Sequence, residues 1–322
     1  MRLERGLWSS LLLLFALLPF AARAEFPDRP ITLIVPFAAG GPTDQHLRVI
    51  AKEVGQTLGQ AVAVENRPGP HGMQGVVALM RAAPDGYTLA ILAAPAFRAP
   101  HIIPVPYDLR TGLTYIMLMT DYTFSFVAHS DARWKSWSEF VAEAAARPGL
   151  LNVAVSGGPI GTPGLALEEA AQAAGVKLNI VPYKGDADVV PALLGGHIDA
   201  AVLSGIARPH VEAGKMRYLA ALTEKRINRI PDLPTLKEQG VPVWIESPYG
   251  LVGPRAMPPE RLKRIHDAFK AALESPASRQ TMDQLSQQIN YKGPDEYREY
   301  AMQVFSREKV RMDGLRKRGL LN

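Results

Sequence analysis

Ile31-Thr32-Leu33-Ile34-Val35-Pro36-Phe37-Ala38-Ala39-Gly40-Gly41-Pro42-Thr43-Asp44-Gln45 reads as a buried strand, a tight glycine turn and the start of a helix. Ile31 to Val35 is a short, mostly apolar and β-branched run, the pattern of a strand covered on both faces. Pro36 cannot donate to a ladder, so pairing weakens there. Gly40 and Gly41 admit backbone angles closed to other residues and leave room for a ligand against the main chain. Thr43 or Asp44 is placed to cap the following helix, whose apolar positions Leu47, Ile50, Ala51, Val54 and Leu58 fall at helical spacing. Free N–H groups and the positive end of the helix dipole then face whatever lies above the strand, an anion site that needs no charged side chain. No Gly-Lys-Ser/Thr follows the turn, and the dinucleotide glycine pattern is absent, so phosphate transfer is not indicated. The stretch by itself is equally compatible with an ordinary strand-turn-helix connection.

The same pattern recurs downstream. Strand Asn152 to Ser156 runs into Gly157-Gly158-Pro159-Ile160-Gly161, after which Thr162 can cap a helix with Pro163 at its first position. Strand Leu178 to Pro182 ends at Tyr183-Lys184-Gly185, Asp186 is placed to cap a helix to Leu194, and strand Ile198 to Leu203 ends at Ser204-Gly205. In the first half, Val62 to Glu65 and Tyr87 to Leu92 are further strands. The loop Ala93-Ala94-Pro95-Ala96-Phe97-Arg98 follows the second of them, at the carboxyl end where open parallel sheets put their ligand crevice. Thr123 to His129 and Tyr249 to Gly253 are candidate crossing strands. The segment from Thr223 to Pro242 reads as a loop with one short helix. Amphipathic helices start at Pro258-Pro259-Glu260 and Gly293-Pro294-Asp295-Glu296. Two α/β units joined by two crossings, each aiming a helix N-terminus at a shared cleft, make a two-domain clamshell with residues 25–123 and 249–322 in the first domain and 124–248 in the second.

The chain has 322 residues, enough for one large or two modest domains. Arg2 and Arg5 precede the apolar run Leu11 to Leu18, and Ala22-Arg23-Ala24 supplies small residues for cleavage, so residues 1–24 read as a secretory signal peptide; the apolar stretch is short for a membrane span. Export into a bacterial periplasm is the expected destination. With no Cys, disulfides, thiolate metal sites and a lipoprotein anchor are excluded. The formal charge is +5; the leader holds three arginines against one glutamate, so the remainder carries about +3. Basic residues are scattered except from Arg307 to Arg318, which suits a solvated helix face and not a nucleic-acid partner.

The motifs resemble those of the substrate-binding receptors of the tripartite tricarboxylate transporter family, the Bug-type receptors. They are Arg29-Pro30-Ile31, Val35 to Asp44, Val64-Glu65-Asn66-Arg67-Pro68-Gly69, Ala83-Pro84-Asp85-Gly86-Tyr87-Thr88-Leu89, Val181 to Gly185, Leu194-Gly195-Gly196-His197-Ile198-Asp199 and Ala213-Gly214-Lys215. The resemblance implies a periplasmic clamshell of the Venus-flytrap kind that closes on a small carboxylate, occasionally an amide, and delivers it to a membrane transporter. It implies a ligand held through backbone amides and ordered waters of the two glycine loops, here Phe37, Ala38, Ala39, Gly40 and Gly41 and Ser156, Gly157, Gly158, Gly161 and Thr162. Thr43, Asp44, Ala94, Ala96, Phe97, Tyr183, Asp186 and Ser204 join them as expected contacts on neighbouring loops. Two departures stand out: the loop after Leu92 lacks the family's Asn-Pro, and the second glycine loop has fewer hydroxyls and an added Ile160. Both suggest a ligand with more apolar surface, covered by Phe97, Ile160 and Tyr183, with Arg98 a candidate partner for a distal carboxylate.

An enzyme finds no support in the residues. The seven His have no metal spacing, and Ser156 lacks the Gly-x-Ser-x-Gly frame. No cofactor and no metal are expected, and the protein is expected to act as a monomer. A ligand-sensing receptor that serves a membrane sensor kinase is the alternative to transport, since it uses the same clamshell.

Overall fold

The computed structural model describes residues 25–69, 72–157, 161–319 and 321. The expected leader, and Gly158, Pro159 and Ile160 of the second glycine loop, lie outside them.

The described chain is α/β, with two sheets. Strands β1 (Ile31–Val35), β2 (Val62–Asn66), β3 (Thr88–Ala93), β4 (Leu113–Asp121), β10 (Pro248–Pro254) and β11 (Gln288–Lys292) form one sheet in the order β11-β4-β10-β3-β1-β2. Strands β5 (Phe124–His129), β6 (Asn152–Ser156), β7 (Asn179–Tyr183), β8 (Ala200–Ser204) and β9 (Met216–Ala221) form the other, in the order β7-β6-β8-β5-β9. Within each sheet the nucleus is parallel: β1 lies between β2 and β3, and β6 between β7 and β8. Such strands are covered on both faces, which is why Ile31, Leu33, Ile34 and Val35 are all buried.

The two crossing strands are built in antiparallel. β5 enters between β8 and β9, and β10 enters between β3 and β4. The chain leaves the first sheet after Asp121 and returns to it at Pro248, and at that junction the Tyr122 N–H donates to the Ser247 carbonyl at 3.0 Å.

The helices pack on the sheet faces. They are α1 (Pro42–Leu58), α2 (Gln74–Leu79), α3 (Ala94–Arg98), α4 (Trp137–Ala146), α5 (Thr162–Ala173), α6 (Asp186–Leu194), α7 (Arg208–Glu212), α8 (Pro259–Glu274), α9 (Pro276–Gln284) and α10 (Pro294–Lys317). On α1, Leu47, Ile50, Val54 and Leu58 are buried, as their helical spacing requires. Phe126 of β5 meets Trp137 and Phe140 of α4 at ring separations of 5.1 and 4.7 Å. Each such fully buried aromatic contributes about 1.5–3 kcal/mol.

Several local expectations change. The stretch after β3 is not an open loop, because Pro95 sits in the first turn of α3, where its missing N–H costs nothing. No helix forms between Thr223 and Pro242; those residues are turns, packed through Ile227, Leu233 and Leu236. Strand β11, an edge pairing with β4, was not expected, since Gln288-Ile289-Asn290-Tyr291-Lys292 carries only one strongly apolar residue.

Candidate functional site

The ends of β1, β6, β7 and β8 point at one cleft between the sheets. Three helix N-termini open onto it. Gly41, Pro42 and Thr43 come from α1, Gly161, Thr162 and Pro163 from α5, and Gly185 and Asp186 from α6. Phe37, Ala38, Ser156, Gly157 and Ser204 complete the glycine-loop side, and Pro95, Tyr122, Phe124 and Ser247 complete the walls. The cleft encloses about 60 Å³. The two sides touch, since a Cβ on Gly185 would sit 3.4 Å from the Ala38 side chain.

Local chemistry explains the shape of both loops. Gly40 has φ +79° and Gly157 φ +82°, the left-handed region that favours glycine. No side chain caps α1 or α5, so their first N–H groups stay available to a ligand. This differs from the capping roles expected of Thr43, Asp44, Thr162 and Asp186. Gly41, Gly161 and Gly185 hold the cap positions of α1, α5 and α6 instead, and Pro follows the first two within two residues. The Thr43 hydroxyl pairs with the Tyr122 hydroxyl.

Asp44 turns away from the cleft. Its Oδ2 accepts from the Gly40 N–H at 2.8 Å and from Arg48 Nε at 2.9 Å, and its Oδ1 accepts from Asn66 Nδ2 at 2.9 Å. Burial opposes its ionisation, but Arg48, the Gly40 N–H and Asn66 outweigh that and hold the carboxyl below its ordinary range. The residue therefore fastens the first glycine turn.

Asp186 behaves differently. Its Oδ2 accepts from the Ser204 N–H at 3.0 Å and the Ser204 hydroxyl at 2.6 Å. Its Oδ1 is buried without a hydrogen-bond partner among the described residues, and so is the Thr162 hydroxyl. Both residues line the cleft.

Other expected contacts lie elsewhere. Ala39 and Gly40 sit on the exposed shoulder of the first turn, outside the cleft lining. Ala94, Ala96 and Phe97 are buried within α3, with Phe97 among Leu92, Tyr107 and Tyr297. Only Pro95 of that segment reaches the cleft. Tyr183 packs against the apolar cluster of α6 and β8. Arg98 is fully buried, its Nε and Nη2 donating to Glu308 of α10 at 3.0 and 2.9 Å, so it is not a partner for a distal carboxylate. Lys184 is exposed and outside the lining, which leaves no cationic side chain among the described lining residues. Gly158 and Ile160 fall outside the described residues.

The reading from sequence missed Tyr122, Phe124 and Ser247. They lie at the two crossings, which form the back of the cleft. A second layer supports them: Tyr122 and Tyr249 stand 5.0 Å apart ring to ring, the Tyr249 hydroxyl is 2.7 Å from His46 Nδ1, and Ser278 Oγ is 2.9 Å from His46 Nε2. Burial drops the His46 pKa to about 4, so the imidazole is neutral at pH 7.

A larger groove of about 450 Å³ lies on the outer side, between α5 and α10. Its arginines are already engaged: Arg307 with Glu246, and Arg311 and Arg318 with Glu169. Among the described residues no group of three or more His, Asp or Glu is arranged to hold a metal. No helix among them is long and apolar enough to cross a membrane.

Two sheets joined by two antiparallel crossings, with helix N-termini facing a narrow cleft, define a two-domain solute-binding clamshell. The chain belongs to the tripartite tricarboxylate transporter family of receptors, whose family model matches residues 46–315. A Cupriavidus necator relative, "UPF0065 protein in gbd 5′ region", is 38% identical over 301 residues, which is 93% of this chain and 92% of the relative. The structure of the periplasmic binding protein BugD superposes with a TM-score of 0.84 at 28% identity, covering 92% of this chain and 99% of BugD. MatC from Rhodopseudomonas palustris with bound malate superposes with a TM-score of 0.81 at 27% identity, covering 88% and 99%. The family and these neighbours are solute-binding receptors and not enzymes, and this chain is one of them.

Proposed function

We propose that the protein is exported to the periplasm, captures a small organic acid between its two domains (25–123 with 249–322, and 124–248), and delivers it to a membrane transporter of the tripartite tricarboxylate type. The observation that carries this reading is the convergence of three helix N-termini without side-chain caps on one narrow cleft. Each terminus supplies free N–H donors and roughly half a positive charge, enough for a carboxylate without any Lys or Arg. The +3 balance of the chain beyond its leader adds weak attraction for anions. The malate held by the neighbour MatC belongs to the same chemical class.

The ligand is compact. A cleft of about 60 Å³ is far smaller than typical small-molecule pockets of roughly 300–1,000 Å³. Phe37, Pro42, Pro95, Tyr122, Phe124 and Pro163 give it apolar walls, in place of the Phe97 and Tyr183 that the sequence suggested. A citrate-like trianion would bring negative charge up to Asp186, and the described lining has no cationic side chain to offset it.

A thermal-shift panel tests this. A ligand at a hundred times its dissociation constant adds about 2.7 kcal/mol of stability. Small mono- and dicarboxylates should raise the melting temperature, and citrate should leave it unmoved. Stabilisation by citrate alone overturns the ligand class, and N-terminal sequencing that finds Met1 retained on membrane-bound protein overturns the export.

A further inference from the structure

We infer that the acid this cleft selects carries a hydrogen-bond donor beside its carboxylate, a hydroxyl or an ammonium, and that Asp186 is the residue that reads it. The inference rests on the proposed carboxylate site and names what else the ligand must offer.

Two buried polar atoms in the cleft have no partner among the described residues, Thr162 Oγ1 and Asp186 Oδ1. Their residues are 1% and 5% exposed, so bulk solvent reaches neither. They differ in chemistry. A hydroxyl donates or accepts, so Thr162, in the first turn of α5, suits a ligand carboxylate alongside the N–H groups of that turn. A carboxylate oxygen only accepts, and leaving it buried and unpaired costs about 1–3 kcal/mol or more. Nothing in the protein turns Oδ1 aside, because the Ser204 N–H and hydroxyl both engage Oδ2 and fix the group in one orientation.

The surroundings exclude the alternatives. No Lys or Arg of the described lining stands ready to neutralise Asp186. A ligand that presented a second anionic group there would meet like charge in a poorly solvated space. A plain aliphatic chain would leave Oδ1 unpaired. An acid with a hydroxyl or ammonium next to its carboxylate satisfies the helix N-termini through the anion and Asp186 through the donor. Sites built to bond such a group reject analogues that lack it far more strongly than they reject a missing methylene.

The test is calorimetric titration of the full mature protein with matched acids: succinate, L-malate and L-aspartate, then glutarate, 2-hydroxyglutarate and 2-oxoglutarate. Wild-type protein should prefer a donor-bearing member of a set over its plain counterpart by at least about tenfold. In the Asp186→Asn protein the amide oxygen can keep the Ser204 contacts while its NH₂ faces the cleft, so preference should move from 2-hydroxyglutarate toward 2-oxoglutarate. Equal affinity for succinate and malate in wild-type protein, with glutarate matching 2-hydroxyglutarate, overturns the inference while leaving the carboxylate site standing. A preference for donors that survives Asp186→Asn unchanged, with the unliganded melting temperature also unchanged, removes Asp186 from the role. If neither these acids nor the matched monocarboxylates propionate and lactate bind, the carboxylate reading fails and the inference fails with it. The wild-type comparison needs no variant, so it stands even if the substitution unfolds the protein.

Discussion

Replacing Gly205 by alanine adds one methyl group, and it should act as a wedge between the domains. Gly205 follows β8 and faces the chain just beyond α9. A Cβ built on it overlaps the carbonyl oxygen of Leu285 outright and lies 3.1 Å from Leu285 Cα. The obstructing atoms are backbone, so no side chain can swing away. The two surfaces must separate by on the order of 2 Å to reach van der Waals contact. Overpacking of this kind typically costs about 1–3 kcal/mol. If that cost falls on the closed state alone, apparent affinity drops about 5- to 150-fold. The contrast is Gly314→Ala on α10, outside the cleft lining, whose Cβ would meet nothing within 4 Å and should alter affinity little. Titration of both variants with whichever small acid binds wild-type protein, together with small-angle scattering, makes the comparison. Unchanged affinity and an unchanged radius of gyration for Gly205→Ala would refute the reasoning, because the closed arrangement would then not need that contact.

Four further outcomes are expected. Between pH 6.5 and about 4 the unfolded chain binds a proton at His46 that the folded chain refuses, so stability falls as pH drops through that window, by up to roughly 3 kcal/mol; urea melts at several pH values should lose this slope in His46→Gln. Removing the Arg98 side chain strands Glu308, and Arg98→Ala should cost about 3–5 kcal/mol, whereas the double change Arg98→Met with Glu308→Leu should recover most of it in denaturant titrations. Burial opposes the charge on Glu308, but Arg98 holds its carboxyl below the ordinary range, so this pair's contribution is present above about pH 4.5 and is lost as pH falls below it. Gly41→Val should fill the cleft at the N-terminus of α1 and weaken acid binding by at least about tenfold while the unliganded melting temperature stays nearly constant, as calorimetry and thermal melts would report.

Much of the fold was legible because periodicity and punctuation agreed. Ile31–Val35 and the helix from Pro42 carry the two spacings that separate strand from helix, and the same sequence of signals returns at Asn152–Ala173. The glycine loops were legible for the same reason. What was hidden depends on distant partners. Nothing near Arg98 announces Glu308, which lies 210 residues away. Phe97 and Tyr183 share a loop composition with ligand-facing residues, and only packing decides that they face inward. Tyr122 and Ser247 reach the cleft because two crossings meet at one point, a fact of tertiary geometry. Asp44 and Asp186 look alike as early-turn acids, yet one is saturated with donors and the other keeps an oxygen free, according to what Asn66, Arg48 and Ser204 do beside them.

The junction at Asp121 and Pro248 has a consequence for how the molecule can be taken apart. These two residues are registered opposite each other on β4 and β10, and Tyr122 and Ser247 are bonded directly beyond them. In chain terms β4 and β10 are therefore a long hairpin, and the whole second sheet with its helices is the loop of that hairpin. Both of its ends leave from one spot, so a short turn spliced from Asp121 to Pro248 would leave every ladder of the first sheet intact. The excised piece, with its own ends already side by side, would be a natural candidate for insertion into a hairpin of another protein.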